Sequence, residues 1–243
     1  MTLEAIDYAN GISIIILTLI SIYLGLRIAS KYRTHKRKEL LIVGFVWIGV
    51  ASPWFPGSLS FIYAIFTGKG ISFELYFILG NVFVPICLVL WLIIISDFLF
   101  IEYKKKIVII VIIYFTIFYI FFFILVFQQS PLIGIQKGPV DVQNGLFLII
   151  FDISFIIIFL ISGLLFVKES LKADNPETRL KGKLLLLAFC FFSFGVFLDA
   201  LIPRTWISLP IIRSLEIISA IIFYLGFILP EWTKKKFLKD YNN

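Results

Sequence analysis

Histidine is almost missing: His35 is the only one in 243 residues, and it sits in the basic run KYRTHKRKE. That excludes histidine-built metal sites such as HExxH, and a Ser–His dyad within a membrane. The chain also lacks a Gly-rich phosphate loop and the paired aspartates of intramembrane proteases, so any catalysis would have to run on carboxylates alone. We read it as a non-enzyme with no cofactor and no metal. Cysteine is nearly as scarce. Cys87 and Cys190 both lie inside apolar runs, where they act as small hydrophobes, and no loop offers a thiol for a disulfide staple. Charge is thin at 15% of residues, and it is confined to short clusters that leave no room for a separate soluble domain. The first apolar run, 11–29, has neither a basic segment before it nor a small-residue cleavage site after it, so it reads as a retained span rather than a signal peptide.

What the chain has in abundance is long apolar runs. It is 60% hydrophobic with a mean hydropathy of +1.03, far above a soluble domain. Spans at 11–30, 39–56, 71–100, 107–127, 146–167, 184–202 and 210–229 predict an all-α, polytopic integral membrane protein, a bundle of seven transmembrane helices forming one domain in the lipid bilayer. Of the 22 basic residues, 18 fall at alternate ends of successive spans; only Lys69, Lys137, Arg204 and Arg213 fall at the others. This positive-inside pattern places the N-terminus outside and the C-terminus in the cytoplasm, with the cell membrane as the location. It also accounts for the net charge of +7 without nucleic acid.

Two spans carry the unusual features. The second has only fourteen residues, 39–52, before Pro53 and Pro56, too few to cross as a straight helix. The sequence therefore predicts a kinked or broken span, closed on its outer side by an aromatic cap that includes Trp54. The third, 71–100, reads as the central post, because Glu74, Asn81 and Pro85 fall on one face of a 100°-per-residue helix. Hydrocarbon offers no partner to such groups, so each intramembrane acid implies a partner, water or a protonated state. Glu74, Asp152, Asp199 and Glu216 map to similar depth in the outer halves of four spans. Arg213 precedes Glu216 by three residues on the same face, and Tyr224 lies near that line. The expected ligand pocket is therefore Glu74, Asn81, Asp152, Asp199, Arg213, Glu216, Tyr224 and Trp54, joined by Arg204 from the last outer loop. Asp97 is read as structural, within reach of the lysines at 104–106.

Two resemblances bear on function. Segments 80–83 (GNVF), 138–142 (GPVDV) and 175–177 (NPE) resemble an uncharacterised archaeal family of seven-span membrane proteins. The last third of the chain resembles the seven-transmembrane sensor modules that precede some prokaryotic histidine kinases. The second resemblance implies a receptor-like sensor of a small or lipid-like ligand. Only thirteen residues follow Pro230, so such a sensor would signal through a cytoplasmic partner. A retinal protein is excluded because the last span holds no lysine for a Schiff base. The alternative is a small-solute or ion transporter that uses the same carboxylates, although no internal repeat supports it. The topology has a direct test. In a background with Cys87 and Cys190 replaced, single cysteines at Thr34 and Lys181 are expected to resist impermeant thiol reagents on intact cells, while one at Gly138 labels. Labelling of either of the first two from outside would overturn the orientation.

Overall fold

The structure is a computed structural model and describes residues 3–140 and 142–238. Asp141 of the GPVDV segment and residues 239–243 of the basic tail lie outside the described residues. In chain order the elements are α1 (Ala5–Ser30), α2 (Tyr32–His35), α3 (Lys38–Val50), a 3-10 turn (Ser52–Trp54), α4 (Phe55–Thr67), α5 (Phe73–Asn81), α6 (Phe83–Leu99) and α7 (Lys104–Phe127). The strands β1 (Gly134–Gln136) and β2 (Val142–Asn144) follow, then α8 (Leu146–Lys172), α9 (Pro176–Leu201), α10 (Ser208–Ile228) and α11 (Glu231–Phe237). Together they make seven helical segments long and apolar enough to cross a membrane, each of the last four being one continuous helix. The exterior suits that solvent. In α7 only Phe115, Phe118, Phe122 and Val126 are buried, at spacings of three and four. Half of its other side chains are large apolar groups on the outside. In water a surface of that kind would be a liability.

The second and third segments depart from straight helices at their prolines. The second segment does not stop at Pro56. The chain turns through Ser52–Trp54 and continues as α4 to Thr67, where Gly68 adopts φ +70° and ends it. The whole segment is thirty residues, 38–67, so it is kinked rather than short. Trp54 consequently lies near its middle, 6% exposed. The expectation that Trp54 caps the outer end is corrected: the kink turns it inward, edge-on to Phe192. Trp206 and Trp232, by contrast, lie exposed near segment ends. In the third segment the α5–α6 junction falls at Val82. Pro85 has no N–H to give the carbonyl of Asn81, four residues back, and its ring crowds that carbonyl. Tyr119 of α7 donates its hydroxyl to the Val82 carbonyl at 2.6 Å, which supplies a partner to backbone at the bend.

The end of the bundle that joins α4 to α5, α7 to α8 and α9 to α10 carries, among the described residues, the one departure from all-α structure. There β1 and β2 pair antiparallel, Gly134 opposite Asn144 and Gln136 opposite Val142. We call this the hairpin end. The hairpin is tied down: Ser60 donates its hydroxyl to the Pro139 carbonyl, Gln136 donates to the Ile71 carbonyl at 3.1 Å, and Arg204 to that of Val140 at 3.5 Å. At the opposite, basic end, Asn175 caps α9 through its side-chain oxygen, which accepts from the amides of Glu177 and Thr178. Lys104 meets Asp97 at 2.6 Å, the structural role expected of that acid. Lys234 of α11 lies 3.1 Å from both Glu177 and Glu231; hydrogen bonds first to Glu177 and then to Glu231 hold its ammonium above the usual lysine range.

Packing between α1 and α3 depends on glycine. A Cβ on Gly44 would stand 2.5 Å from the Gly25 carbonyl oxygen and 2.7 Å from atoms of Ala29, so the two backbones touch. Small residues at a crossing are how helices pack where no hydrophobic effect draws them together. Gly44→Leu is therefore expected to force the pair apart and to cost roughly 1–3 kcal/mol of overpacking, read as a lower thermal midpoint in detergent. Leu19→Ala, on the exposed side of α1 at 61%, is the matched control and should shift it little.

Candidate ligand cavity

The polar centre of the molecule is built by helix spacing. Arg213 and Glu216, three apart on α10, share a face, and both are buried, 3% and 1% exposed. One Arg213 nitrogen, Nη1, donates to Glu216 Oε2 at 2.7 Å and to Asp199 Oδ2 of α9 at 3.1 Å. The other, Nη2, reaches Asn10 Oδ1 of α1 at 3.4 Å. Trp54 completes the cluster, its indole N–H donating to Asp199 Oδ2 at 3.3 Å. Three segments thus meet at one guanidinium, and a fourth joins them through Asp199. Gly195 of α9 makes the fit possible, because a Cβ there would lie 3.1 Å from Glu216 Cγ. One guanidinium faces two carboxylates, so the cluster carries an excess acid inside the bundle.

Between this cluster and the hairpin lies a cavity of about 860 Å³, within the range of small-molecule sites. Arg213, Asp199, Trp54, Asn81 and Asp152 all line it. Its rim holds exposed residues, Glu4, Lys137, Leu201 and Pro203, and its inner wall holds buried ones, Ile14, Val50, Val84, Ile156 and Phe192, so it opens at the hairpin end. The strands form part of its wall through Val142, Gln143 and Asn144. Asn144 donates its amide to Asp152 Oδ2 at 3.2 Å, a contact between the hairpin and the second turn of α8.

Five of the eight residues expected at the site are thus brought together, and three are not. Glu74 is a correction: it accepts from Gln129 Nε2 at 2.6 Å, in the connection after α7, and does not line the cavity. Its place in the first turn of α5, beyond the bend at Val82, holds it toward the segment end. Glu216 stands behind Arg213 rather than at the cavity surface. Tyr224 shares the Arg213 face, but eleven residues at ~1.5 Å each carry it ~16 Å further along α10, where it packs, half-buried, against the apolar core. Other lining residues were not anticipated: Asn10, Asn144, Tyr76, Phe77, Phe155 and Phe192. Asn10 had a readable signal, as the last amide before the first apolar run. The aromatics had none, being lost among 28 phenylalanines.

Beyond Phe192 the interior closes. Phe192 packs on Trp47 at 5.7 Å and on Phe159 at 5.7 Å; Trp47 stacks on Phe223 at 4.0 Å; Phe189 joins Phe159 and Trp91 at 5.3 and 5.7 Å. All of these lie further toward the basic end on their helices. Among the described residues no group of three or more His, Cys, Asp or Glu is placed to hold a metal ion. Comparison with protein-family models, curated proteins and solved structures returns no match.

The ion cluster makes a quantitative expectation. Arg213→Ala leaves half-buried Asp199 and buried Glu216 together without their cation, and is expected to cost ~3–5 kcal/mol, seen as a large fall in thermal midpoint. Glu216→Gln keeps the Arg213–Asp199 pair and removes the excess acid, so its loss should be much smaller. Equal losses for the two variants would show that Arg213 does not neutralise the pair.

Proposed function

We propose that the chain is a multi-pass protein of the cell membrane, hairpin end outside and basic end in the cytoplasm, that senses a small or lipid-like ligand. The ligand enters the hairpin-end cavity, and occupancy is passed to a cytoplasmic partner. The observation that carries this reading is that the cavity is one-ended: open beside the hairpin and backed by the aromatic layer of Trp47, Phe159, Phe189, Phe192 and Phe223. A carrier needs a site that can also face the other side, and such layers are packed surfaces rather than a second gate. A conduit to the cytoplasm has support in the pairing of α9 with α10. Asp199 and Arg213 join them at the cavity, and at the basic end Glu177 of α9 meets Lys234 of α11, just beyond α10. A ligand that interacts differently with two arrangements of this pair would shift their populations.

Transport is the competing use of the same acids. The separating experiment is flux into proteoliposomes driven by a proton or sodium gradient. The expected outcome is no flux above protein-free vesicles. Robust flux that Asp152→Asn abolishes would replace sensing with transport.

A further inference from the structure

We infer that the ligand is a small organic cation, an amine or quaternary ammonium group, held by Asp152 against the aromatic wall of the cavity. The inference rests on the reading of the cavity as a ligand site and adds the chemical class. Its first support is a missing counter-charge. Asp152 lies about six residues into α8, ~9 Å from the helix start, and its hydrogen-bond partner is the neutral amide of Asn144. Among the described residues no lysine or arginine stands at ion-pair distance from it. A carboxylate at that depth without a cation is costly, and a cationic ligand would remove that cost.

The second support is that the nearby arginines are engaged. Arg213 is committed to two carboxylates and to Asn10, and Arg204 reaches toward the hairpin loop. Neither is an open anchor for an anion. Among the described residues the wall leans acidic: Glu4, Asp7, Asp152 and Asp199 against Lys137, Arg204 and Arg213, with Glu216 a further acid directly behind Arg213.

The third support is the aromatic lining. Trp54, Tyr76, Phe77, Phe155 and Phe192 all face the cavity. Phe155 follows Asp152 by three residues on α8, one turn along the same face. An ammonium centre between a carboxylate and ring faces gains both ion pairing and cation–π attraction. The volume of about 860 Å³ admits an organic body with that centre, far more than a bare metal ion needs. The same ammonium chemistry occurs in free amines and in choline-type lipid headgroups.

The test places a reporter thiol in the cavity of the full chain. In a background with Cys87 and Cys190 replaced, Ile156→Cys is reacted with trimethylammonioethyl methanethiosulfonate and with sulfonatoethyl methanethiosulfonate, each rate divided by its rate with free cysteine. The cationic reagent is expected to be favoured by about tenfold or more, as a cleft focusing one sign of charge provides. Asp152→Asn, which keeps the side-chain shape, should abolish most of that preference, and Phe155→Leu should reduce it. Choline or tetramethylammonium should protect the thiol if a free amine is the ligand. Protection by lysophosphatidylcholine, with choline inert, would assign the same chemistry to a lipid headgroup. Ready labelling with no charge preference, or a preference for the sulfonate, would overturn the cation assignment while leaving the cavity reading intact. Failure of both reagents to reach the thiol, in a protein that melts normally, would overturn the cavity reading itself.

Discussion

The polar cluster at the hairpin end is organised around one buried guanidinium. Arg213 holds Asp199 of α9 and Glu216 of its own helix, touches Asn10 of α1, and through Asp199 shares a carboxylate with Trp54. Taking such groups out of water is expensive, and their mutual attraction repays it only when geometry and hydrogen bonding are good. The return is specificity of arrangement. The kinked second segment, α1, α9 and α10 can satisfy these groups together in few ways, and the cavity is the space left between that arrangement and the hairpin.

The hairpin contributes what the helices cannot. Strands of three residues would not hold alone; here Ser60, the Ile71 carbonyl and Arg204 fix the hairpin. That anchoring brings Asn144 onto Asp152 and makes a wall out of a connection. Kinks at Pro53–Pro56 and before Pro85 open the bundle at the same end. Pro53, Trp54, Pro56, Gly80, Asn81 and Val84 all line the cavity. At the other end glycine contacts and aromatic packing close it. The asymmetry between an open polar end and a sealed apolar one is the physical basis of the sensing proposal.

Sequence reasoning reached as far as local spacing allows. Helical number, the Asp97–Lys104 pair and the Arg213–Glu216 pair were legible, because hydrophobic run length and i,i+3 geometry are local properties. The inward turn of Trp54 was not, since it follows from how far the second segment continues past its prolines. Gln129 lies fifty-five positions from Glu74, and no periodicity connects them. Tyr224 shows the limit of a face argument: angle places a residue on a side, but depth decides whether it reaches the cavity. The β-hairpin was invisible because GIQ and VQN are too short to show a strand pattern.

The proposition that the Arg213–Asp199 contact shapes this end of the molecule is open to a double-mutant cycle. Thermal unfolding of the wild type, Asp199→Asn, Arg213→Gln and the double variant gives the coupling free of each side chain's other contacts. A part-buried pair joined at 3.1 Å should show a favourable coupling of roughly 1–3 kcal/mol, with the double variant no less stable than Arg213→Gln alone. Strictly additive losses would mean that the two residues do not interact in the folded protein, and that the cavity is not organised around them.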